Sequence, residues 1–314
     1  MKVTENISET VLQVSNLTKI YGREIRLGDL ITFGQQVRGT YNVSFQVKKG
    51  EIFGFLGPNG AGKTTTMRVI LDYLKPKTGS VEIFNFDHRN DRVEIRKRIG
   101  YVPGDMALFE DFTGEELIKY FGRFRPIDQE FLQELKTLFR VKLHKKIKSL
   151  SKGNRQQAGL IAVMASKPSL LILDEPTSGL DPLMTANFHK ILKKLQNEGV
   201  TIFLSSHDLA EVQSICDRVG IIRNGEMILI EAVDALKAKF LQNVLVQFLD
   251  DVAPSEEDFK QLTSVLSVER IKSHTYKLKI GEDVTQVLKF LSNYNIKRFT
   301  CEDADLEEIF LQYY

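Results

Sequence analysis

The sequence predicts an α/β protein: a largely parallel sheet flanked by helices, with an antiparallel β layer and a helical insertion, followed by a small α+β domain. Three observations carry this. The runs 52–56, 170–173 and 200–204 are apolar without alternation, the pattern of strands covered by helices on both faces, and helix-like spacing follows each. Residues 11–14 and 41–47 alternate apolar and polar side chains, as strands with one solvated face do. Beyond Phe240 the composition changes, and short strand-like and amphipathic runs recur over about seventy residues, which fits a compact appendage. The first domain is therefore expected over 8–240, with its insertion at about 105–167, and the second over 241–314.

Taken in order, the two alternating strands form an antiparallel layer leading into the apolar run 52–56. Between them the apolar residues of 22–40 (Ile25, Leu27, Leu30, Ile31 and Phe33) are spaced too irregularly for an element, and the segment reads as a loop. A helix over 66–74, a turn at 75–80, a strand at 81–84 and a short helix at 91–98 follow. In the insertion, Leu117, Ile118, Phe121 and Phe124 share one helical stripe, and Phe131, Leu132, Leu135, Leu138 and Phe139 share the next. Helices at 185–197 and 209–216 alternate with the buried strands. Asn224-Gly225 then marks a two-residue hairpin turn between 219–222 and 227–230. The C-terminal part reads as strand 244–248, an acidic linker at 250–258, strand 275–280, helix 284–294, a short segment at 297–300 and an amphipathic helix at 305–313.

Bulk properties exclude several classes. With 42% hydrophobic and 27% charged residues in 314, the chain is an ordinary globular one, and a net charge of +2 supplies no field for nucleic acid. The basic residues over 142–155 lack interleaved aromatics and read as a solvated flank. Met1-Lys2-Val3-Thr4-Glu5-Asn6 lacks the apolar core of a secretory leader, and no stretch reaches the ~18 apolar residues of a membrane span. Any membrane role is expected to come through a partner chain. Cys216 and Cys301 have no metal or redox spacing and fit packing roles in a reducing compartment.

The chemistry centres on Gly57-Pro58-Asn59-Gly60-Ala61-Gly62-Lys63-Thr64-Thr65, between an apolar strand and a helix. A triphosphate must be held by backbone N–H groups at close range, and glycines permit that approach. Lys63 would place a cation between the β- and γ-phosphates, Thr64 would give its hydroxyl to Mg²⁺, and the helix start would face the phosphates. A second element is the buried strand ending in Asp174-Glu175. At the carboxyl end of a strand both acids can address the neighbouring loop, Asp174 on the metal and Glu175 on the attacking water.

Further stretches complete a resemblance to the nucleotide-binding subunit of ATP-binding cassette (ABC) transporters over about 11–232. Leu150-Ser151-Lys152-Gly153-Asn154 resembles the family's signature sequence, Ser178-Gly179-Leu180-Asp181 its D-loop, and Ser205-Ser206-His207 its switch histidine. Leu17-Thr18-Lys19-Ile20-Tyr21-Gly22 resembles the segment whose aromatic residue stacks on adenine, and Gly100-Tyr101-Val102-Pro103 the start of the Q-loop. The resemblance implies an ATPase using ATP and Mg²⁺, in which two copies pair head to tail. Ser151, Gly153 and Asp181 of one copy would then complete the site at Lys63 of the other, and His207 would meet the γ-phosphate. Tyr41 is an alternative to Tyr21 as the adenine platform. The tail 305–311 resembles that of a bacterial exporter subfamily with a separate membrane subunit, which places the chain at the cytoplasmic face of the membrane.

Two departures stand out. Gly104 occupies the place of the family's Q-loop glutamine, leaving Asp105 or water for the metal side, and Lys152 and Asn154 replace the more common signature residues. The leading function is the ATPase subunit of an exporter with a separate integral-membrane permease, with no nucleic-acid partner. The alternatives are a soluble cassette ATPase acting on ribosomes or nucleic acid, and a regulatory subunit that holds ATP without turnover.

Overall fold

The computed structural model describes residues 9–22, 24–27, 30–33, 37–106, 109–238, 242–249, 253–281 and 284–303. The chain divides into two compact units, residues 1–231 and 232–314.

The first unit opens with β1 (Thr10–Tyr21), β2 (Glu24–Leu27), β3 (Leu30–Phe33) and β4 (Val37–Lys48). β2 and β3 pair with each other as an antiparallel hairpin, which corrects the expected loop over 22–40. Strands of four residues are too short for an alternation test, so pairing rather than periodicity defines them. Next come β5 (Ile52–Leu56), α1 (Lys63–Ile70), β6 (Thr78–Ile83), β7 (Phe86–Asp87), α2 (Arg92–Arg96) and β8 (Ile99–Val102). The antiparallel layer has the order β4-β1-β6-β7.

The insertion contributes α3 (Gly114–Phe121), α4 (Gln129–Leu138) and α5 (Lys152–Met164). Thr113 and Glu116 form a capping box at the start of α3, and the Asp128 side chain accepts from Phe131 N at the start of α4. Leu117, Ile118, Phe131, Leu132 and Leu135 are buried as their spacing requires, but Phe124 lies beyond α3 and is exposed. There follow β9 (Leu170–Asp174), α6 (Pro182–Asn197), β10 (Thr201–Ser206), α7 (Leu209–Ile215), β11 (Arg218–Arg223) and β12 (Glu226–Ala232). The main sheet runs β12-β11-β5-β10-β9-β8, with β11, β5, β10, β9 and β8 parallel. Every residue of β5, β9 and β10 is buried, the consequence of covering both faces. Phe45 of the antiparallel layer stacks on Phe53 of β5 at 5.5 Å between ring centroids and meets Phe203 of β10 at 5.4 Å, joining the two sheets through one core. The β11–β12 turn holds Asn224 at φ 51° and Gly225 at φ 81°, the left-handed pair that Asn-Gly supplies.

The second unit contains α8 (Val233–Ala238), β13 (Gln242–Phe248), α9 (Glu256–Lys260), β14 (Val265–Lys272), β15 (Thr275–Ile280), α10 (Thr285–Leu291) and β16 (Ile296–Asp303). From β13 onward the order is β-α-β-β-α-β, the split β-α-β arrangement also called ferredoxin-like, with an antiparallel sheet β14-β15-β13-β16. Val244, Val246, Phe248, Tyr276, Leu278 and Ile280 face a core closed by Phe259 of α9 and by Val287 and Leu291 of α10.

Two readings need correction. The expected acidic linker ends in helix α9, because Ser255 and Asp258 make a reciprocal capping box. β14 escaped detection because this edge strand is mostly exposed, so no apolar alternation marks it. The expected helix at 305–313 lies outside the described residues.

Candidate functional site

β5 delivers the chain to the glycine-rich loop at the carboxyl end of the parallel sheet, and α1 leaves it with Lys63 as its first residue. Two glycines there are obligatory. A Cβ on Gly57 would lie 2.3 Å from the Ile222 carbonyl oxygen, and one on Gly62, at φ 107°, would lie 2.3 Å from the Gly39 carbonyl oxygen. The Lys63 side chain is only 4% exposed. Its Nζ donates to the carbonyls of Gly57 at 2.6 Å and Pro58 at 3.1 Å and pairs with Glu175 Oε1 at 3.2 Å.

The neighbouring strand ends supply the acids. Thr64 Oγ1 donates to Asp174 Oδ1 at 3.2 Å, and Ser205 Oγ donates to the same oxygen at 2.6 Å. Ser205 Oγ also accepts from Glu175 N at 3.0 Å, so one hydroxyl fixes both acidic residues. The register of β10 on β9, which sets Ser205 beside Asp174, makes this possible. Glu175 itself sits at φ 45°, a costly conformation for a non-glycine residue and one that concentrates at functional sites. His207 Nδ1 lies 3.3 Å from Glu175 Oε2. The structure thus brings Lys63, Thr64, Asp174, Glu175 and His207 together.

A cavity of about 280 Å³ opens here, lined by Gly39, Asn59, Gly60, Thr64, Thr65 and Glu175 and bounded by Tyr21. Tyr21 Oη is 3.2 Å from Thr65 Oγ1. Tyr41 is exposed, its backbone N–H donating to Gly225 O, and does not line this cavity. Of the two tyrosines, Tyr21 stands at the phosphate loop.

Ser151, Gly153 and Asp181 form a separate cluster. Ser151 caps α5 by accepting from Asn154 N at 3.3 Å, and Asp181 caps α6 by accepting from Met184 N at 2.8 Å. A Cβ on Gly153 would lie 2.5 Å from the Gly179 carbonyl oxygen, so the signature and D-loop segments are in contact. Gly104 faces the metal-side strand, its absent Cβ 3.0 Å from the Asp174 carbonyl oxygen, whereas Asp105 is exposed. No group of three or more His, Cys, Asp or Glu suited to a metal ion occurs among the described residues. The oxygens of Thr64 and Asp174 nonetheless suit a hard divalent cation that keeps waters and phosphate in its shell.

Sequence reasoning quoted Ser205 and Tyr101 within their motifs but gave neither a role: that of Ser205 depends on strand pairing, and the half-buried Tyr101 hydroxyl is held protonated by burial and by the nearby Asp174 charge. Tyr101 lines a larger groove of about 840 Å³ with Tyr73, Met106, Tyr120, Phe124 and Arg68. Cys216 is a packing residue, its thiol pushed up in pKa by burial.

A glycine-rich loop between a buried parallel strand and a helix, facing two acids on the adjacent strand, defines the class as a P-loop ATPase. The family model for ABC transporters matches residues 40–178, and an AAA domain model matches 146–213. The linearmycin resistance ATP-binding protein LnrL of Bacillus subtilis is 30% identical, the alignment covering 96% of this chain and 97% of that protein. The bacitracin transport ATP-binding protein BcrA of Bacillus licheniformis is 33% identical over 73% of this chain and 72% of its own length. Among solved structures, an ATP-binding subunit of an ABC transporter superposes with a TM-score of 0.62 at 26% identity, covering 73% of this chain and 92% of that one. A dimeric cassette in a post-hydrolysis state with ADP and Pi shares the fold, with a TM-score of 0.60 at 24% identity over 71% of this chain and 98% of that one. The chain belongs to the ABC transporter ATP-binding subunits and is an ABC-type ATPase.

Proposed function

We propose that this ATPase powers an exporter whose permease is a separate integral-membrane chain, working as a head-to-tail pair of copies at the cytoplasmic face. The observation that carries this is the division of the site. Lys63, Thr64, Asp174 and Glu175 converge on one phosphate loop, while a second anion-binding helix start, with Ser151 and Gly153, belongs to a different cluster on the same chain. Two antiparallel copies would bring each loop against the other's α5 and complete two sites.

In each site the loop amides and Lys63 hold the phosphates, Tyr21 supports the adenine, and Glu175 orients the attacking water and draws its proton. His207, within reach of Glu175, steadies that carboxylate and meets the γ-phosphate. Thr64 and Asp174 would hold magnesium, which neutralises phosphate charge. Asp105 is the nearest acidic residue after Gly104 and is assigned to the metal side; an Asp105→Ala variant with unchanged Mg²⁺ dependence would remove it. The aromatic, arginine-rimmed groove at Tyr73, Tyr120 and Arg68 is the surface offered to the membrane subunit. Export as the direction is favoured by relatives named for linearmycin resistance and bacitracin transport.

The test is Glu175→Gln with ATP and Mg²⁺. Turnover should fall by ~10²- to 10⁴-fold, and an ATP-dependent dimer should accumulate in size-exclusion scattering. Adding Ser151→Arg should dissolve that dimer while each copy still binds ATP; a dimer that survives defeats the head-to-tail arrangement. Inverted vesicles carrying the permease should take up substrate only with the active chain.

A further inference from the structure

Helix α7, which follows His207, starts with a carboxylate turned inward. Asp208 caps the helix, its side chain accepting from Glu211 N at 3.2 Å. A glutamate three residues after the cap ordinarily reaches back to the cap's own N–H and stays in water, where the helix dipole favours it. Glu211 does neither. The Asp208 N–H donates instead to Ser206 Oγ at 2.9 Å, and Ser206 Oγ donates to Glu211 Oε2 at 2.6 Å. Glu211 is 5% exposed and Ser206 2%, and the second carboxylate oxygen lies 3.5 Å from His189 Nε2 on α6. Burying a carboxylate is costly unless hydrogen bonds offset it, and an exposed capping box would close the same helix without that cost. The helix start alone therefore does not account for this arrangement.

The turn that Glu211 holds is the one that carries His207. Ser206 and Asp208 flank that residue, and the Ser206 hydroxyl, fixed by Glu211, binds the backbone on its far side. The two serines that end β10 divide the work. Ser205 ties Asp174 and Glu175, and Ser206 ties the turn whose His207 Nδ1 stands 3.3 Å from Glu175 Oε2. The Ser206 carbonyl also accepts from Gly57 N at 3.2 Å, which sets the same residue against the phosphate loop. The His207 side chain is 54% exposed, so packing does little to fix it and its place depends on the backbone of the turn.

We propose that Glu211 is a positioning residue for ATP hydrolysis, which through Ser206 fixes the turn that holds His207 against Glu175. This rests on the role given above to His207, and it adds to the site a residue on α7 that touches neither nucleotide nor water. An offset of an ångström in a group that steadies the reacting carboxylate is enough to slow the chemical step while leaving nucleotide binding intact.

The experiment is a double-mutant cycle on the full-length chain. Glu211→Ala should lower kcat for ATP roughly ten- to a hundredfold with KM unchanged. Glu211→Gln, whose carboxamide oxygen still accepts from Ser206, should keep most of the rate. In a His207→Ala background Glu211→Ala should lower kcat no further, because both changes act through one side chain. A merely structural role would lower the rate by the same factor in both backgrounds, and that result, or a Glu211→Ala kcat equal to the parent's, overturns the proposal. Should Glu211→Ala fail to fold, Ser206→Ala cuts the same link and enters the cycle in its place with the same two outcomes. Placement is also read without turnover. The His207 ring resonance, assigned by its loss in His207→Ala, should move in Glu211→Ala and stay in place in Glu211→Gln, which removes the same charge but keeps the hydrogen bond. A resonance unmoved by Glu211→Ala overturns the proposal too. A parent-like kcat in His207→Ala would defeat the role given to His207, while the resonance would still decide whether Glu211 holds that ring.

Discussion

The two units solve opposite problems. In the first, buried polar and charged side chains crowd the carboxyl ends of the parallel strands: Lys63, Asp174, Ser205 and Ser206 are all below 5% exposure. Each costs free energy to bury and is retained only because a partner satisfies it. The second unit, among its described residues, buries no polar or charged residue as a whole, although single polar atoms of Asn243 and Ser264 are enclosed; its core is aliphatic and aromatic, with Phe259, Tyr276 and Phe290 packed ring on ring. Both units carry a non-glycine residue at positive φ, Glu175 at 45° in the site and His274 at 64° in the residues joining β14 to β15. The region that does chemistry buries whole polar and charged side chains, whereas the core of the second unit is built without them. The second unit is therefore expected to supply stability and surface rather than catalysis.

The sharpest way to break this contrast is Phe259→Ala. The ring is fully buried, 5.2 Å from Tyr276 and 5.4 Å from Phe290 between centroids. Its loss should cost the second unit about 3–5 kcal/mol, from lost transfer free energy and a residual cavity. Proteolysis should then cut after residue 232, while the cassette keeps its ATP affinity. A matching fall in ATP affinity would show that the division of labour is false.

How much of this was legible depends on how local each signal is. The phosphate loop and the Asp174-Glu175 strand end are contiguous in sequence, so their chemistry could be read directly, and the buried strands announced themselves by unbroken apolar runs. The β2–β3 hairpin and edge strand β14 were not legible, because four-residue strands and exposed edges carry no periodic pattern. The role of Ser205 was hidden for a different reason. It matters through a register with a strand thirty-one positions away. That relation does not exist until the chain is folded.

A smaller effect sharpens the assignment inside the first unit. Tyr21 borders the phosphate-loop cavity and Tyr41 does not line it. If Tyr21 is the adenine platform, Tyr21→Ala should remove a stacking contact of about 1–3 kcal/mol, weakening ATP roughly 5- to 150-fold by isothermal titration. Tyr41→Ala should change affinity little, and thermal stability should hold in both. The reverse ranking would move the platform to Tyr41.

The smallest effect concerns a polar group in the first unit that lies outside the nucleotide site. His88 is 2% exposed, its Nδ1 is 3.1 Å from the Val81 carbonyl oxygen, and its Nε2 has no hydrogen-bond partner among the described residues. Burial holds its pKa below the ordinary 6.5, against the opposing pull of the Val81 carbonyl and Asp87, while Arg89 adds to the lowering. The folded state thus refuses a proton that the unfolded chain accepts, so the unfolded state binds more protons as pH falls through 6.5. Stability is accordingly highest above that value and declines on acidification until the folded imidazole also protonates. His88→Leu removes both the titration and the unsatisfied nitrogen. Comparing urea midpoints of the cassette transition at about pH 7.5 and about pH 5.5, the variant should lose less stability on acidification than the parent. An identical acid slope in both proteins would mean that the proton is taken up elsewhere, and that the buried imidazole in this core is as neutral in its consequences as the apolar residues of the second unit.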